Sequence, residues 1–242
     1  MTYRPHFGFF SLTALACLLA LVSSSAQAIQ GGVLAARNTL TQATVGVGTL
    51  HRDSGQIGLS RCSGVLVSPD LVLTAAHCVR NGPLASAVVF YEGSKPVPPE
   101  IPVAEIERYV VEAADLPEEY AGLVELSLDT AVLRLATPVR GRKPIPIGRG
   151  LPPSVLRLAG AGISQQGVGV LKTTRLDRLA VTSTGLVIAA ARGSEVCKGD
   201  SGGPVVADGR QGPVLWGVAS AVLSSDGACG RVVVIAPARA RF

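Results

Sequence analysis

Two short stretches carry reactive side chains in settings that would let them work together. Cys197-Lys198-Gly199-Asp200-Ser201-Gly202-Gly203-Pro204 places a serine among glycines, and Thr74-Ala75-Ala76-His77-Cys78 places a histidine after an apolar run. A serine hydroxyl is a poor nucleophile at neutral pH until an adjacent base takes its proton. An imidazole can accept a proton and return it near neutral pH. Glycines on both sides of Ser201 let backbone N–H groups approach a reacting carbonyl with no Cβ in the way. The chemistry open to such a set is nucleophilic attack on a carbonyl carbon.

Such groups need a rigid frame, and the rest of the chain supplies short apolar runs separated by turn signals. That is the pattern of an all-β barrel or sandwich. An aromatic content of 4%, with 28 glycines and 16 prolines in 242 residues, favours strands and turns over a helical bundle. Strands are expected at 43–50, 62–67, 71–74, 87–91 and 131–135, then at 155–160, 176–182, 185–191, 204–206, 214–221 and 232–236. The stretch from Pro138 to Pro153 holds five prolines and reads as a linker between two halves. Lys95 to Pro102 reads as a proline-rich extended loop.

The first residues have a different purpose. Arg4 precedes an apolar run from Phe7 to Val22, and Ser23-Ser24-Ser25-Ala26-Gln27-Ala28 follows it. A charged start, an apolar centre and an A-x-A site make a secretory signal peptide over residues 1–28. The run is short against the ~20 residues a membrane span needs. The mature chain is therefore expected to be exported, extracellular or periplasmic, with no membrane span. A net charge of +5 is spread without a basic stripe, so nucleic acid is not an expected partner.

Of five cysteines, Cys17 would leave with the signal peptide. Cys62, Cys78, Cys197 and Cys229 remain. An even number in an exported chain implies disulfides, with three connectivities open. A zinc site would need closely spaced cysteine pairs that this chain lacks, and only His51 and His77 follow the signal segment. No metal or organic cofactor is expected.

Gly199-Asp200-Ser201-Gly202-Gly203-Pro204, preceded by Thr74-Ala75-Ala76-His77-Cys78, resembles the chymotrypsin-like (trypsin-fold) serine proteases. The resemblance covers nearly all of residues 29–242. It implies two six-stranded antiparallel β-barrels with the active site in the cleft between them: a first barrel over about 29–137, a linker over about 138–153 and a second barrel over about 154–242. The sequence ends at Phe242, soon after its last expected strand, so the C-terminal helix usual in that family is not expected. The resemblance makes His77 the general base, Ser201 the nucleophile that forms an acyl-enzyme, and Asp129, in Leu126-Ser127-Leu128-Asp129-Thr130-Ala131-Val132-Leu133, the group that orients the imidazole. Gly199 and Ser201 would supply the oxyanion-hole N–H groups. The implied disulfides are Cys62–Cys78 and Cys197–Cys229.

In the same family an aspartate at the position of Asp200 pairs with a freed N-terminal ammonium. Ile29-Gln30-Gly31-Gly32 resembles the family's mature start and falls directly after Ala28. Removal of the signal peptide would then itself create the activating amine. A cut after Ala26 would instead leave Gln27-Ala28 as a cap on an inactive precursor. Ser220, in Gly217-Val218-Ala219-Ser220-Ala221-Val222, matches a segment whose backbone pairs with the substrate as an added strand, and its hydroxyl is placed to bond Asp129.

Glu195 matches the floor of the primary specificity pocket, where an acid would select Arg or Lys. Val222 at the mouth and Val233 on the far wall favour small aliphatic side chains, and both specificities stand open. Partners are peptide or protein substrates, with protein inhibitors as a further class. The leading function is an exported serine endopeptidase, and the alternative is a catalytically silent binding protein on the same fold. Gly199-Asp200-Ser201-Gly202-Gly203 also fits the nucleophile elbow of esterases and lipases. The chain order His77, Asp129, Ser201 departs from the Ser–Asp–His order of those enzymes.

Overall fold

A computed structural model describes residues 28–80, 82–108, 126–164, 167–224 and 228–238. Residues 1–27 of the expected signal peptide lie outside that set.

A short β1 (Val33–Leu34) and a single helical turn α1 (Thr39–Ala43) lead into the first barrel. Asn38 caps α1 by accepting from the Thr41 N–H while the Thr41 hydroxyl accepts from the Asn38 N–H, a reciprocal capping box. The barrel strands are β2 (Thr44–Asp53), β3 (Gln56–Ser68), β4 (Leu71–Thr74), β5 (Ala85–Glu92), β6 (Lys95–Arg108) and β7 (Ala131–Leu135). They close in the order β2-β3-β4-β7-β6-β5, antiparallel throughout. All four residues of β4 are buried, since both its neighbours and the barrel interior enclose it. Val45, Val65, Leu66, Leu73, Val88 and Leu133 fill the centre.

The second half holds β8 (Val155–Gly160), the small hairpin β9 (Ile163–Ser164) and β10 (Gly167–Val168), β11 (Lys172–Val181), β12 (Val187–Ala191), β13 (Val196–Cys197), β14 (Pro204–Gly209), β15 (Gly212–Leu223), β16 (Cys229–Gly230) and β17 (Val232–Pro237). Strands β8, β11, β12, β17, β15 and β14 close into a second six-stranded barrel through the β11–β8 pairing. Leu156, Leu158, Leu176, Val205, Val233 and Ile235 make its core. The molecule is thus all-β, two antiparallel barrels side by side.

Three expectations are corrected. Lys95–Arg108 is a strand, not a loop: β6 pairs with β5 as Phe90↔Val97 and Val88↔Ile101 and with β7 as Ile106↔Leu133. Proline fixes φ at a value strands tolerate, and the register shift between Val88 and Phe90 opposite Pro98-Pro99 leaves their missing N–H groups outside the regular ladder. The first barrel does not begin at Ile29, because β1 pairs with β11, joining Val33 to Thr173 in the second barrel. Val233 is buried in the second core rather than lining a pocket.

The linker is pinned rather than loose. Ile145 N–H donates to Leu66 of the first barrel, and Gly148 N–H donates to Leu215 of the second. Arg142 donates to the carbonyls of Gln42 and Tyr91, both at 2.9 Å, with its guanidinium 4.6 Å from the centre of the Phe90 ring. Among the described residues, no helix is long and apolar enough to cross a membrane.

Candidate active site

The pairing of β4 with β7 decides where His77 and Asp129 meet. Thr74, the last residue of β4, lies opposite Ala131, the first of β7. His77 follows Thr74 on a 3₁₀ turn (Ala76–Val79), and Asp129 precedes Ala131, so both emerge at one rim of the barrel. The Asp129 carboxylate accepts from His77 twice, at Oδ1 from the backbone N–H (2.8 Å) and at Oδ2 from Nδ1 (2.7 Å). A carboxylate only accepts, so Nδ1 carries the proton and Nε2 presents its lone pair. Ser220 Oγ, from β15 of the other barrel, donates to Asp129 Oδ2 at 2.5 Å. Asp129 is thereby held from both barrels.

Ser201 sits in the turn between β13 and β14. Its carbonyl accepts from the Ser63 N–H of β3 at 2.7 Å, and Gly202 N–H donates to Ala219 at 2.7 Å. Gly202 has φ +79°, and a Cβ there would fall 2.2 Å from both the Ser63 carbonyl oxygen and Thr74 Oγ1. Only glycine lets this turn press so closely against the first barrel. The disulfide Cys62–Cys78 holds the His77 turn to β3, with Cys78 Sγ 3.9 Å from the Ser201 carbonyl oxygen. A second disulfide, Cys197–Cys229, joins β13 to β16 just before the serine turn. The two sulfurs beside His77 are therefore bonded to one another and are not metal ligands.

Gly199 has φ +91°. Among the described residues the N–H groups of Gly199 and Ser201 donate to no protein acceptor. Both donors are thus free for an oxygen that carries developing negative charge. Asp200, between them, is fully buried, and its Oδ2 accepts from the N–H groups of Ile29 (3.0 Å) and Cys197 (2.9 Å). Oδ1 makes no hydrogen bond of full geometry among the described residues, and the Gly162 N–H acts on the carboxylate only weakly. Burial pushes the Asp200 carboxyl up to about 7. A Cβ on Gly160 would come within 2.4 Å of Oδ1, which explains a glycine at the end of β8.

A cleft of about 240 Å³ adjoins Ser201, walled by Val196, Ala219, Ala221, Val222 and Ala228. The expected floor residue is not there. Glu195 faces outward and pairs with Arg231 at 3.6 Å, while its backbone exchanges two hydrogen bonds with Gln30. That bridge forces the side-chain alternation, so Val196 points in and Glu195 out. A larger groove of about 540 Å³ crosses the first barrel, but none of His77, Asp129 or Ser201 lines it. Sequence reasoning missed Val196, and also Ser63, whose hydroxyl lies among the buried groups behind Gly199. A polar residue beside Cys62 in an apolar strand end was the available sign, and spacing alone cannot tell it from a surface position.

The Trypsin family model matches residues 29–238, spanning both barrels and every residue above. The chain belongs to the trypsin family. Among relatives of this trypsin-family chain, brachyurin of Leptuca pugilator is 28% identical over 165 residues, covering 60% of this chain and 70% of its own. Serine protease SP24D of Anopheles gambiae is 30% identical over 184 residues, 69% of this chain and 64% of the relative. The solved structure of HL collagenase superposes with a TM-score of 0.62 at 22% identity, covering 86% of this chain and 93% of that one. A scabies mite inactivated protease paralogue superposes equally well, with a TM-score of 0.62 at 19% identity over 86% and 92% of the two chains. As a trypsin-family member the protein is a serine endopeptidase, a hydrolase of peptide or protein substrates.

Proposed function

We propose that this protease works through Ser201, His77 and Asp129, is exported, and cleaves after small aliphatic residues. The observation that carries the reading is the double grip of Asp129 on His77, which puts the proton on Nδ1 and leaves the Nε2 lone pair free to act as a base. Nε2 takes the Ser201 proton as Oγ attacks the scissile carbonyl carbon. The oxygen, now negatively charged, accepts from the Gly199 and Ser201 N–H groups. His77 then passes the proton to the leaving amine, which departs and leaves an acyl-enzyme. Water repeats the cycle: His77 takes its proton, hydroxide attacks the ester, and Ser201 regains its hydrogen as the acid leaves.

Export rests on the signal-like residues 1–28, and the geometry at Ile29 agrees with a cut after Ala28. Asp200 is buried with one oxygen lacking a hydrogen bond of full geometry and meets a peptide N–H where an ammonium would bring a full charge and more donors. The apolar cleft of Val196, Val222 and Ala228, with Glu195 neutralised outside it by Arg231, supports small aliphatic side chains over basic ones.

The inactivated paralogue among the structural neighbours shows that this fold also carries proteins without activity, so the fold alone does not decide. The test is the intact mass of the exported protein before and after a fluorophosphonate probe. A mass starting at Ile29 that gains one probe, and fails to with Ser201→Ala, is the expected result. A folded protein starting at Ile29 that takes no probe would overturn this reading in favour of a catalytically silent binding protein.

A further inference from the structure

Ser63 is completely buried where three parts of the molecule meet. Its hydroxyl accepts from the Ala161 N–H at 2.9 Å, in the segment after β8, and donates to the Gly199 carbonyl at 3.0 Å. The roles are fixed: an amide N–H can only donate, so the one hydroxyl proton is left for Gly199. The Ser63 N–H meanwhile holds the Ser201 carbonyl at 2.7 Å, and the Ser63 carbonyl accepts from Thr74 Oγ1 at 2.7 Å. Ser63 thus grips, by their carbonyls, the two residues whose N–H groups face the reacting oxygen.

We propose that the Ser63 hydroxyl is a positioning group for the oxyanion hole, fixing the Gly199 peptide in its catalytic orientation. Gly199 has no side chain to restrain it, and glycine populates positive and negative φ about equally. On one side of Gly199, Lys198 N–H is tied to the Ala228 carbonyl at 3.0 Å. On the other side, the Gly199 carbonyl receives the Ser63 hydroxyl proton. The Lys198–Gly199 peptide carries the oxyanion donor and lies between these two anchors. Without the hydroxyl, the Gly199 carbonyl and the Ala161 N–H lose their partner in a site closed to solvent. The Gly199 peptide can then turn toward another donor, and its N–H leaves the reacting oxygen.

The inference rests on the catalytic reading above, and its experiment separates the two. Ser63→Ala and Ser63→Gly both delete the hydroxyl, and Ser63→Thr retains it. Losing an oxyanion donor outright costs roughly 10²–10³ in turnover, so its misorientation is expected to lower kcat about ten- to a hundredfold in the Ala and Gly variants. KM should stay within about twofold, and affinity for a peptidyl trifluoromethyl ketone, which builds the tetrahedral oxyanion, should fall by the same factor as kcat. The Thr variant should recover most of the loss. Ser86→Ala, which deletes a buried hydroxyl bonded to Thr49 in the same barrel, is the control for stability alone. A lowered melting temperature with kcat and ketone affinity unchanged, as in that control, overturns the proposal. Should the wild type take no fluorophosphonate, the catalytic reading has failed, and a crystal structure of Ser63→Ala decides the positioning role. A turned Gly199 peptide sustains that role, and an unmoved one ends it.

Discussion

Asp129 fixes both the backbone and the ring of His77, the proposed base. Asp129→Asn keeps the shape but lets the amide donate to Nδ1, which moves the proton to Nε2. Turnover is expected to fall about 10⁴-fold with folding intact, measured as kcat beside a melting curve. The proposed role of Val222 in specificity is also testable. Val222→Gly widens the cleft at Ser201, and relative kcat/KM should shift toward larger P1 side chains about 10- to 100-fold, read on a peptide series. The side chains proposed to do chemistry could be picked out because each stands in a distinctive local string. Glu195 was not, since which of two neighbours faces the pocket depends on a backbone bridge to Gln30, residues far away in sequence.

Asp200 joins the N-terminal segment to the serine turn, and its titration reports on that junction. While Ile29 offers a peptide N–H, burial holds the carboxyl at about 7, above its unfolded value. The folded state then binds more protons than the unfolded one between about pH 4 and pH 7. Stability must fall as pH rises through that window, by on the order of 4 kcal/mol in all, and level off above it. A form that begins at Ile29 has an ammonium to keep the carboxylate ionised, and the slope should disappear. Urea unfolding of the two forms at pH 4.5 and 7.5 distinguishes them. Among the elements themselves, β4, β7 and β8 match their sequence expectations to the residue, because apolar runs between turn signals mark them. β6 escaped notice because its prolines read as loop, and only its neighbours β5 and β7 make it a strand. The place of β1 in the second barrel was likewise invisible, since a two-residue strand has no period of its own.

At the scale of the whole molecule the site exists only where the barrels touch. His77 and Asp129 come from the first, Ser201 and Ser220 from the second, and Ser63 reaches across between them. Arg142 ties the linker between the barrels to α1 and to β5 of the first barrel through its two carbonyl partners. Arg142→Ala removes two hydrogen bonds from a charged donor and is expected to destabilise by about 3 kcal/mol, visible as a lower urea midpoint. Ile29 and Ala28 flank one peptide bond, and both are buried, 0% and 3% exposed. Their burial depends on Asp200, 171 residues further along. A peptidase must draw its substrate out as an extended strand, so it can reach this bond only while the later half of the chain is still unfolded. The proposed cut after Ala28 would therefore have a deadline, set by how fast the second barrel closes. A precursor allowed to fold first should resist trimming that an unfolded one accepts, and mass spectrometry after each order of addition would reveal which clock runs faster.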